Sequence, residues 1–509
     1  MIVEDVAEGY WPSAGQVASV GDETHPGTDP RFKIQSPVLC VDFDGTLTPT
    51  DSLYECLVFA VRLRPWIIFH FPLWLFRGRA YVKERLIAIA APGLRADLFP
   101  RTPEVLDLIA CARAQGRRVE LVSAAHRDLL ERCGDDLAFE AIFGSHSGIN
   151  LKGAAKARFL RERHPHGFAY VGDSAADLFV WQVARERFGV ALSPTLRRRL
   201  AREGLAVEEL SPRRSWVPAL LREMRPHQWV KNLLVFVSLG LALESLTVGV
   251  LFKFIATFAA FCLLTSGTYI INDLTDLASD RLHPRKRLRP LASGALPITV
   301  AIPAAVIFIV AGLALAFIAN TWIGASLATY LGLTMAYSFG LKRMAIVDVL
   351  AIATLFTARI IAGAFAYETP VSRWIVVFSL FFFASLALMK RTVESASLGA
   401  SGGRTEIAGR GYRAGDYTFL LVMGISFGVG ALIVFSLYVS EMISVPAQYR
   451  SPDALWGAVG VLGFWMMRMW LQTTRGEMND DPILYAVRDR VSLGLGLGVF
   501  SIALIAQMF

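Results

Sequence analysis

Two groups of carboxylates stand at spacings that can do chemistry. The first is Asp42-Phe43-Asp44-Gly45-Thr46, directly after the apolar run Val38-Leu39-Cys40-Val41. Asp42 can attack phosphorus as a carboxylate and form an aspartyl phosphate. Asp44, two residues on, is spaced to protonate the leaving oxygen. Further along, Ser123 can donate to a phosphate oxygen, and Lys156 or Lys152 can offset its charge. Asp173 and Asp177 can complete a Mg2+ site of hard oxygens. The second group is Asn272-Asp273-Leu274-Thr275-Asp276-Leu277-Ala278-Ser279-Asp280. On a single helix Asn272, Asp273, Asp276 and Asp280 fall within a sector of about 100°. Three carboxylates on one face repel each other unless a cation sits among them, which predicts Mg2+ holding a diphosphate at a membrane boundary.

The first group needs a sheet to position it. Val38–Val41, Val119–Val122 (ending at Ser123) and Phe168–Val171 (ending at Gly172-Asp173) read as strands, and they alternate with helical stretches. That pattern predicts a Rossmann-like α/β domain over 37–200, with its site at the carboxyl ends of parallel strands. Residues 51–100 read as helical and hold the segment Pro65–Phe76, too short to span a bilayer. It is either core of an inserted helical cap or a patch resting on the membrane. Residues 1–36 are polar and read as a disordered tail with no signal peptide, and 201–222 as a basic linker. The five cysteines are scattered, as expected of reduced thiols in a cytosolic domain.

The second group needs a membrane. The chain of 509 residues is 54% hydrophobic, which excludes an ordinary soluble protein. The apolar runs begin at Leu233 and predict an all-α bundle over 223–509. Nine spans are expected, near 233–246, 250–272, 300–319, 321–339, 346–366, 372–390, 417–440, 453–472 and 490–508. With the N-terminus inside, the loops after even-numbered spans, with Lys390 and Arg490 at their edges, carry fifteen Lys and Arg, and the opposite loops, with Arg373 at an edge, two. This asymmetry puts the soluble domain in the cytoplasm and the C-terminus outside. Basic residues crowd the acidic helix: Arg285, Lys286 and Arg289 follow it directly, and each is either a phosphate donor or a positive-inside anchor. Asp348 and Arg359 fall inside the fifth span, too far apart along one helix to pair with each other.

The soluble half resembles the haloacid dehalogenase-type phosphatases, with DFDGT (42–46), Ser123, KARFL (156–160) and GDSAAD (172–177) in the family's order. The resemblance implies Asp42 as nucleophile and Asp44 as acid/base. It also implies Mg2+ held by Asp42, Asp173 and the Asp44 backbone, and a cap over about 51–100. The membrane half resembles the UbiA superfamily of intramembrane transferases, and within it the branch of the decaprenylphosphoryl-5-phosphoribose synthases. The likeness rests on MRPHQWVKN (224–232), NDLTDLASDRLHPRKRLRP (272–290), YSFGLKR (337–343), RIIAGA (359–364), MKRTVE (389–394) and DDPILYAVRDR (480–490). The superfamily's second aspartate motif is absent, and Lys390, Arg391 and Glu394 stand in that region.

This second resemblance implies phosphoribosyl pyrophosphate held through Mg2+ by Asp273, Asp276 and Asp280, and attacked by a polyprenyl phosphate. The anionic groups would meet Lys231, Lys342, Arg343, Lys390, Arg391 and Arg410, with Tyr337, Asp481 and Arg488 in the same motifs. Together the two halves predict a bifunctional enzyme of the bacterial inner membrane. It would make polyprenyl-phosphoryl-ribose by way of its 5-phosphate, a precursor of cell-envelope sugar donors. The alternative is an aromatic prenyltransferase of the 4-hydroxybenzoate type, fused to a phosphatase of unrelated substrate. No nucleic-acid partner is expected, and an oligomer is left open.

Overall fold

The structure is a computed structural model, and it describes residues 32, 34–90, 93–134, 137–146, 150–241, 247–367, 372–400, 410–444, 450–478 and 481–508. It divides into two compact units, Met1–Arg214 and Ser215–Phe509.

The first unit is a parallel sheet wrapped by helices. In chain order it holds β1 (Val38–Val41), α1 (Ser52–Leu63), α2 (Ile67–Leu75), α3 (Arg79–Ala90), α4 (Pro103–Ala114), β2 (Arg118–His126) and α5 (Arg127–Gly134). There follow β3 (Ala141–Ser145), α6 (Ala154–Arg163), β4 (Ala169–Gly172), α7 (Leu178–Trp181), β5 (Glu186–Val190), α8 (Pro194–Arg202) and β6 (Glu208–Ser211). The strand order is β3-β2-β1-β4-β5-β6, and every pairing is parallel. The order reverses between β1 and β4. A crevice opens outside their carboxyl ends at such a switch point, and there the chain places Asp42 and Asp173. The central strands are apolar on both faces, as a doubly covered parallel sheet requires. Leu39 and Val41 enter one core with the cap helices, and Val38 and Cys40 enter the other with α6 and α7.

Three boundaries differ from the sequence reading. Ile34 is buried in the core, so the domain begins before residue 37; most of the expected disordered tail lies outside the described residues. β6 lies within the stretch read as linker. It is a four-residue strand paired to β5, and its Glu-Glu pattern hides it in a charged run. Ser123 does not end its strand, because β2 runs on to His126.

The secondary-structure elements of the second unit, among its described residues, are all helices. After α9 (Val217–Glu223) comes a 3-10 helix over Pro226–Leu241, then α10 (Val248–Thr275), α11 (Leu277–Leu282), α12 (Ile298–Ala319), α13 (Thr321–Phe339) and α14 (Val347–Ala366). α15 (Arg373–Ala400), α16 (Tyr417–Ser444), α17 (Leu455–Thr474), α18 (Pro482–Arg488) and α19 (Arg490–Met508) complete it. Among the described residues seven helices are long and apolar enough to cross a membrane. Of the nine expected spans, the fourth is α13, a helix outside those seven. The first is the Pro226–Leu241 segment, whose continuation at 242–246 lies outside the described residues. A Cβ at Gly363 would overlap the Val235 carbonyl, so only glycine lets α14 approach that segment so closely.

Candidate active sites in the two halves

In the soluble half β1 delivers Asp42 into the crevice. One carboxylate oxygen accepts from the Phe43 amide at 2.8 Å, and the other lies 3.0 Å from Lys156 Nζ. Lys156 sits on α6 at 3% exposure. Its ammonium also donates to the Tyr170 hydroxyl (2.9 Å) and to Asp177 (3.3 Å). Lys152, four residues earlier, is exposed. The structure therefore selects Lys156 as the lysine of this site. Ser123 is buried beside Asp42.

Asp44 is turned the other way. Its oxygens accept from the Ser52 amide (2.8 Å) and hydroxyl (3.0 Å) at the start of α1. Its carboxylate is thus no part of the candidate metal cluster, which consists of Asp42, Asp173 and Asp177. Burial, then the charge of Asp51, pushes Asp44 up to about 7, a range that suits a group meant to give and take a proton near neutrality.

The cluster oxygens of Asp42, Asp173 and Asp177 lie within 4.8 Å of one another. Burial raises Asp173 well above the usual carboxylate range, and the charges of Asp177 and Asp42 add to it. Burial also raises Asp42, against the pull of Lys156. Burial works on Asp177 too, but Lys156 and hydrogen bonds from Tyr170 and Ser174 outweigh it and hold that group low. A divalent cation would relieve the repulsion that raises Asp173, so the donor set fits Mg2+. Gly45 closes the site from below, at φ +75°, where an added Cβ would overlap the Asp173 carboxylate.

In the membrane half the acidic stretch is not one helix. α10 ends at Thr275 and α11 begins at Leu277, with Asp276 capping the join. This corrects the expectation of one continuous acidic face. Asp273 and Asp280 are buried, at 1% and 3% exposure. They share one guanidinium nitrogen of Arg289, at 3.2 and 2.6 Å. Asp273 also pairs with Arg225, whose backbone is left-handed at φ 54°, an unfavourable setting for a residue with a Cβ. Asp276 points elsewhere and meets Lys342 at 3.1 Å. Among the described residues these three carboxylates do not form a cluster able to hold one ion, so as set here they do not fit a Mg2+ site. Their countercharges are Arg225, Arg289 and Lys342.

Other predicted residues fall into two further groups. Lys231 pairs with Asp481, and Lys390 lies near the same carboxylate. Arg391 is fully buried 2.8 Å from Asp348 and pairs with Glu394. Arg410 joins them at 3.5 and 3.6 Å and donates to Tyr337. Tyr412 donates to Asp348 at 2.5 Å. Arg359 is held by Asn232, Tyr330 and the Leu355 carbonyl, and not by Asp348. Asn272 is half-buried. Arg285, Lys286, Arg343 and Arg488 are exposed and outside these groups, as membrane-edge anchors would be. Sequence reasoning had missed Arg225, Tyr170, Ser52 and Tyr412. Only Arg225 left a signal, standing in the MRPHQWVKN stretch.

Two folds, each with charged groups converging at one place, define a two-domain membrane enzyme, and comparison with known proteins agrees. Residues 233–492 match the UbiA prenyltransferase family, and residues 39–180 match the haloacid dehalogenase-like hydrolases. The chain belongs to the UbiA prenyltransferase family and carries a haloacid dehalogenase-like domain at its N-terminus. It is 37% identical over 481 residues to the uncharacterised protein y4nM of Sinorhizobium fredii, covering 94% of this chain and 91% of that one. It is 35% identical over 282 residues to nodulation protein NoeC of Azorhizobium caulinodans, covering 54% of this chain and 90% of that one. Over 291 residues it is 29% identical to the decaprenyl-phosphate phosphoribosyltransferase of Mycolicibacterium smegmatis, covering 55% of this chain and 89% of that one. It is therefore a multi-pass membrane enzyme, related to the decaprenyl-phosphate phosphoribosyltransferases and joined to a hydrolase domain.

Proposed function

We propose that the membrane half transfers 5-phosphoribose from phosphoribosyl pyrophosphate to a polyprenyl phosphate such as decaprenyl phosphate, and that the soluble half then removes the 5-phosphate. The observation that carries the reading is a surplus of buried positive charge. Among the described residues Lys231, Arg359, Lys390, Arg391 and Arg410, all buried or half-buried, stand against the three carboxylates Asp348, Glu394 and Asp481, and Arg359 is held by Asn232, Tyr330 and the Leu355 carbonyl. Charge of that kind inside a membrane domain calls for an anionic ligand. A lipid phosphate supplies it.

In the transfer step an oxygen of the lipid phosphate bonds to the anomeric carbon, and the carbon–oxygen bond to pyrophosphate breaks. Arg225, Arg289 and Lys342 are placed to turn from their carboxylates to the departing diphosphate. The three acids of this half, as set in the structure, do not fit Mg2+, so no part of this step runs through it. In the hydrolase half an Asp42 oxygen attacks the 5-phosphate and the bond from phosphorus to the ribose oxygen breaks. Asp44 gives that oxygen a proton. Water then attacks phosphorus, Asp44 takes its proton, and Asp42 is released. Lys156 holds Asp42 and the phosphate charge. Mg2+ on Asp42, Asp173 and Asp177 would neutralise charge on the phosphoryl oxygens.

We read the topology as nine crossings of the bacterial inner membrane, Pro226–Leu241 and α13 completing the seven, with the hydrolase domain cytoplasmic and the C-terminus outside. The loop charge asymmetry supports this. Both reactions would then lie on one side of the bilayer, where a covalent tether raises effective concentration. The test is mass spectrometry of lipids from the purified chain given phosphoribosyl pyrophosphate and decaprenyl phosphate. A product at the mass of decaprenylphosphoryl-ribose is expected. The reading fails if no sugar is transferred and the chain instead prenylates 4-hydroxybenzoate from a prenyl diphosphate.

A further inference from the structure

Helix α2 in the cap has two unlike faces. Ile67 is 2% exposed, and with Phe71 and Trp74 it packs into the domain core. The other face holds Trp66, Phe69, Leu73 and Phe76, at 56, 77, 62 and 89% exposure. These four fall within about 80° of one another around the helix, so they form one stripe. Scattered exposed apolar residues are ordinary, but a contiguous aromatic stripe on a soluble domain marks an interaction surface. Its surroundings name the partner. From Cys56 to Lys83 the sequence contains no Asp or Glu. Arg62, Arg64 and Arg77 stand exposed at the two ends of the stripe. Large apolar and aromatic side chains rimmed by cations, with no acid, suit the interface of a bilayer bearing anionic headgroups. The chain is itself anchored in a bilayer through its other half, so even a weak contact would be populated.

We propose that this face of α2 is a membrane-contact surface that seats the cap in the headgroup layer. The cap reaches the rim of the hydrolase site, since Lys83 of α3 donates to the Ala124 carbonyl at 3.2 Å, one residue from Ser123. Seating the cap therefore holds the mouth of the site at the level of the lipid phosphates. The contact stands whether or not the hydrolase substrate is lipid-linked.

The five native cysteines are buried, so single added cysteines can be labelled selectively. The full chain, labelled with bimane at Phe69→Cys or Phe76→Cys, is placed in nanodiscs of phosphatidylcholine with phosphatidylglycerol. Glu162→Cys on α6, an exposed polar position, is the reference. Nitroxide-labelled lipids should quench positions 69 and 76 at least about twofold while iodide leaves them shielded, with the reverse at 162. Iodide reaching 69 and 76 as readily as 162 overturns the proposal. So does shielding from both quenchers, which would mean that protein, from this chain or a second copy, covers the stripe.

Discussion

Arg391 on α15 and Asp348 on α14 lie 2.8 Å apart with side chains 1% and 0% exposed. Breaking an isolated buried pair costs about 3–5 kcal/mol; here Arg410 and Tyr412 also reach Asp348, and Glu394 also meets Arg391, so each single loss costs a part of that. Arg391→Ala should therefore melt below the parent in detergent, and so should Asp348→Asn. The double variant Arg391→Met/Asp348→Leu should recover most of that loss, since both charges leave together. Equal melting of Arg391→Ala and the parent would show that the pair holds nothing.

The proposed nucleophile, Asp42, has a cleaner readout. Asp42→Asn should cut phosphate release by about 10³-fold or more, in the range seen when a covalent nucleophile is removed. Sugar transfer should continue, so the phosphorylated lipid should accumulate and be visible by mass spectrometry. Continued phosphate release at the parent rate would remove Asp42 from the mechanism.

The two lysines separate sharply. Lys156→Ala leaves Asp42 and Asp177 without their shared cation, and phosphatase turnover should fall about 100-fold. Lys152→Ala, at an exposed position, should stay within about twofold. The opposite ranking would reassign the site.

Arg289 bridges Asp273 and Asp280, and hydrogen bonds to charged groups are worth about 1.5–3 kcal/mol each. Arg289→Ala should raise KM for phosphoribosyl pyrophosphate roughly 10- to 100-fold. Arg285→Ala, exposed in the same loop, should change it by less than about threefold. Initial-rate kinetics at saturating lipid decides between them.

Gly45→Ala should abolish phosphatase turnover without unfolding the chain. The new methyl meets the Asp173 carboxylate, and the positive φ disfavours any Cβ. Phosphate release at a substantial fraction of the parent rate would mean the loop relaxes.

Much of the hydrolase fold is legible in the sequence itself. Strand ends carry chemistry in parallel sheets, so an apolar run followed by DFDGT declared both the strand and the site. What stayed hidden depended on direction or on distance along the chain. Lys152 and Lys156 differ by one helical turn. The sequence does not say that the chain enters α6 at Gly153, leaving Lys152 outside and turning Lys156 toward the sheet. The break at Asp276 was invisible because neither Gly nor Pro marks it. Lys342, which draws that carboxylate aside, comes from a short 3-10 turn, Leu341–Arg343, that follows α13. The partner of Asp348 stands 43 positions away on the next helix, and no local pattern links the two. Residues 208–211 read as linker because a four-residue edge strand carries too little apolar alternation to show through its charges.

Each half buries apolar clusters of its own: Leu39, Val41 and Leu121 lie in one of the first half, Phe261 and Leu327 in one of the second, and Met469 in another of the second. Heating should therefore not produce one all-or-none transition, and a single melting temperature would describe neither half. For genetics this means that damage is compartmental. On the proposed function, a lesion that collapses the sheet would leave the transferase making a lipid that keeps its 5-phosphate, and a lesion in the bundle would leave the hydrolase with nothing to act on.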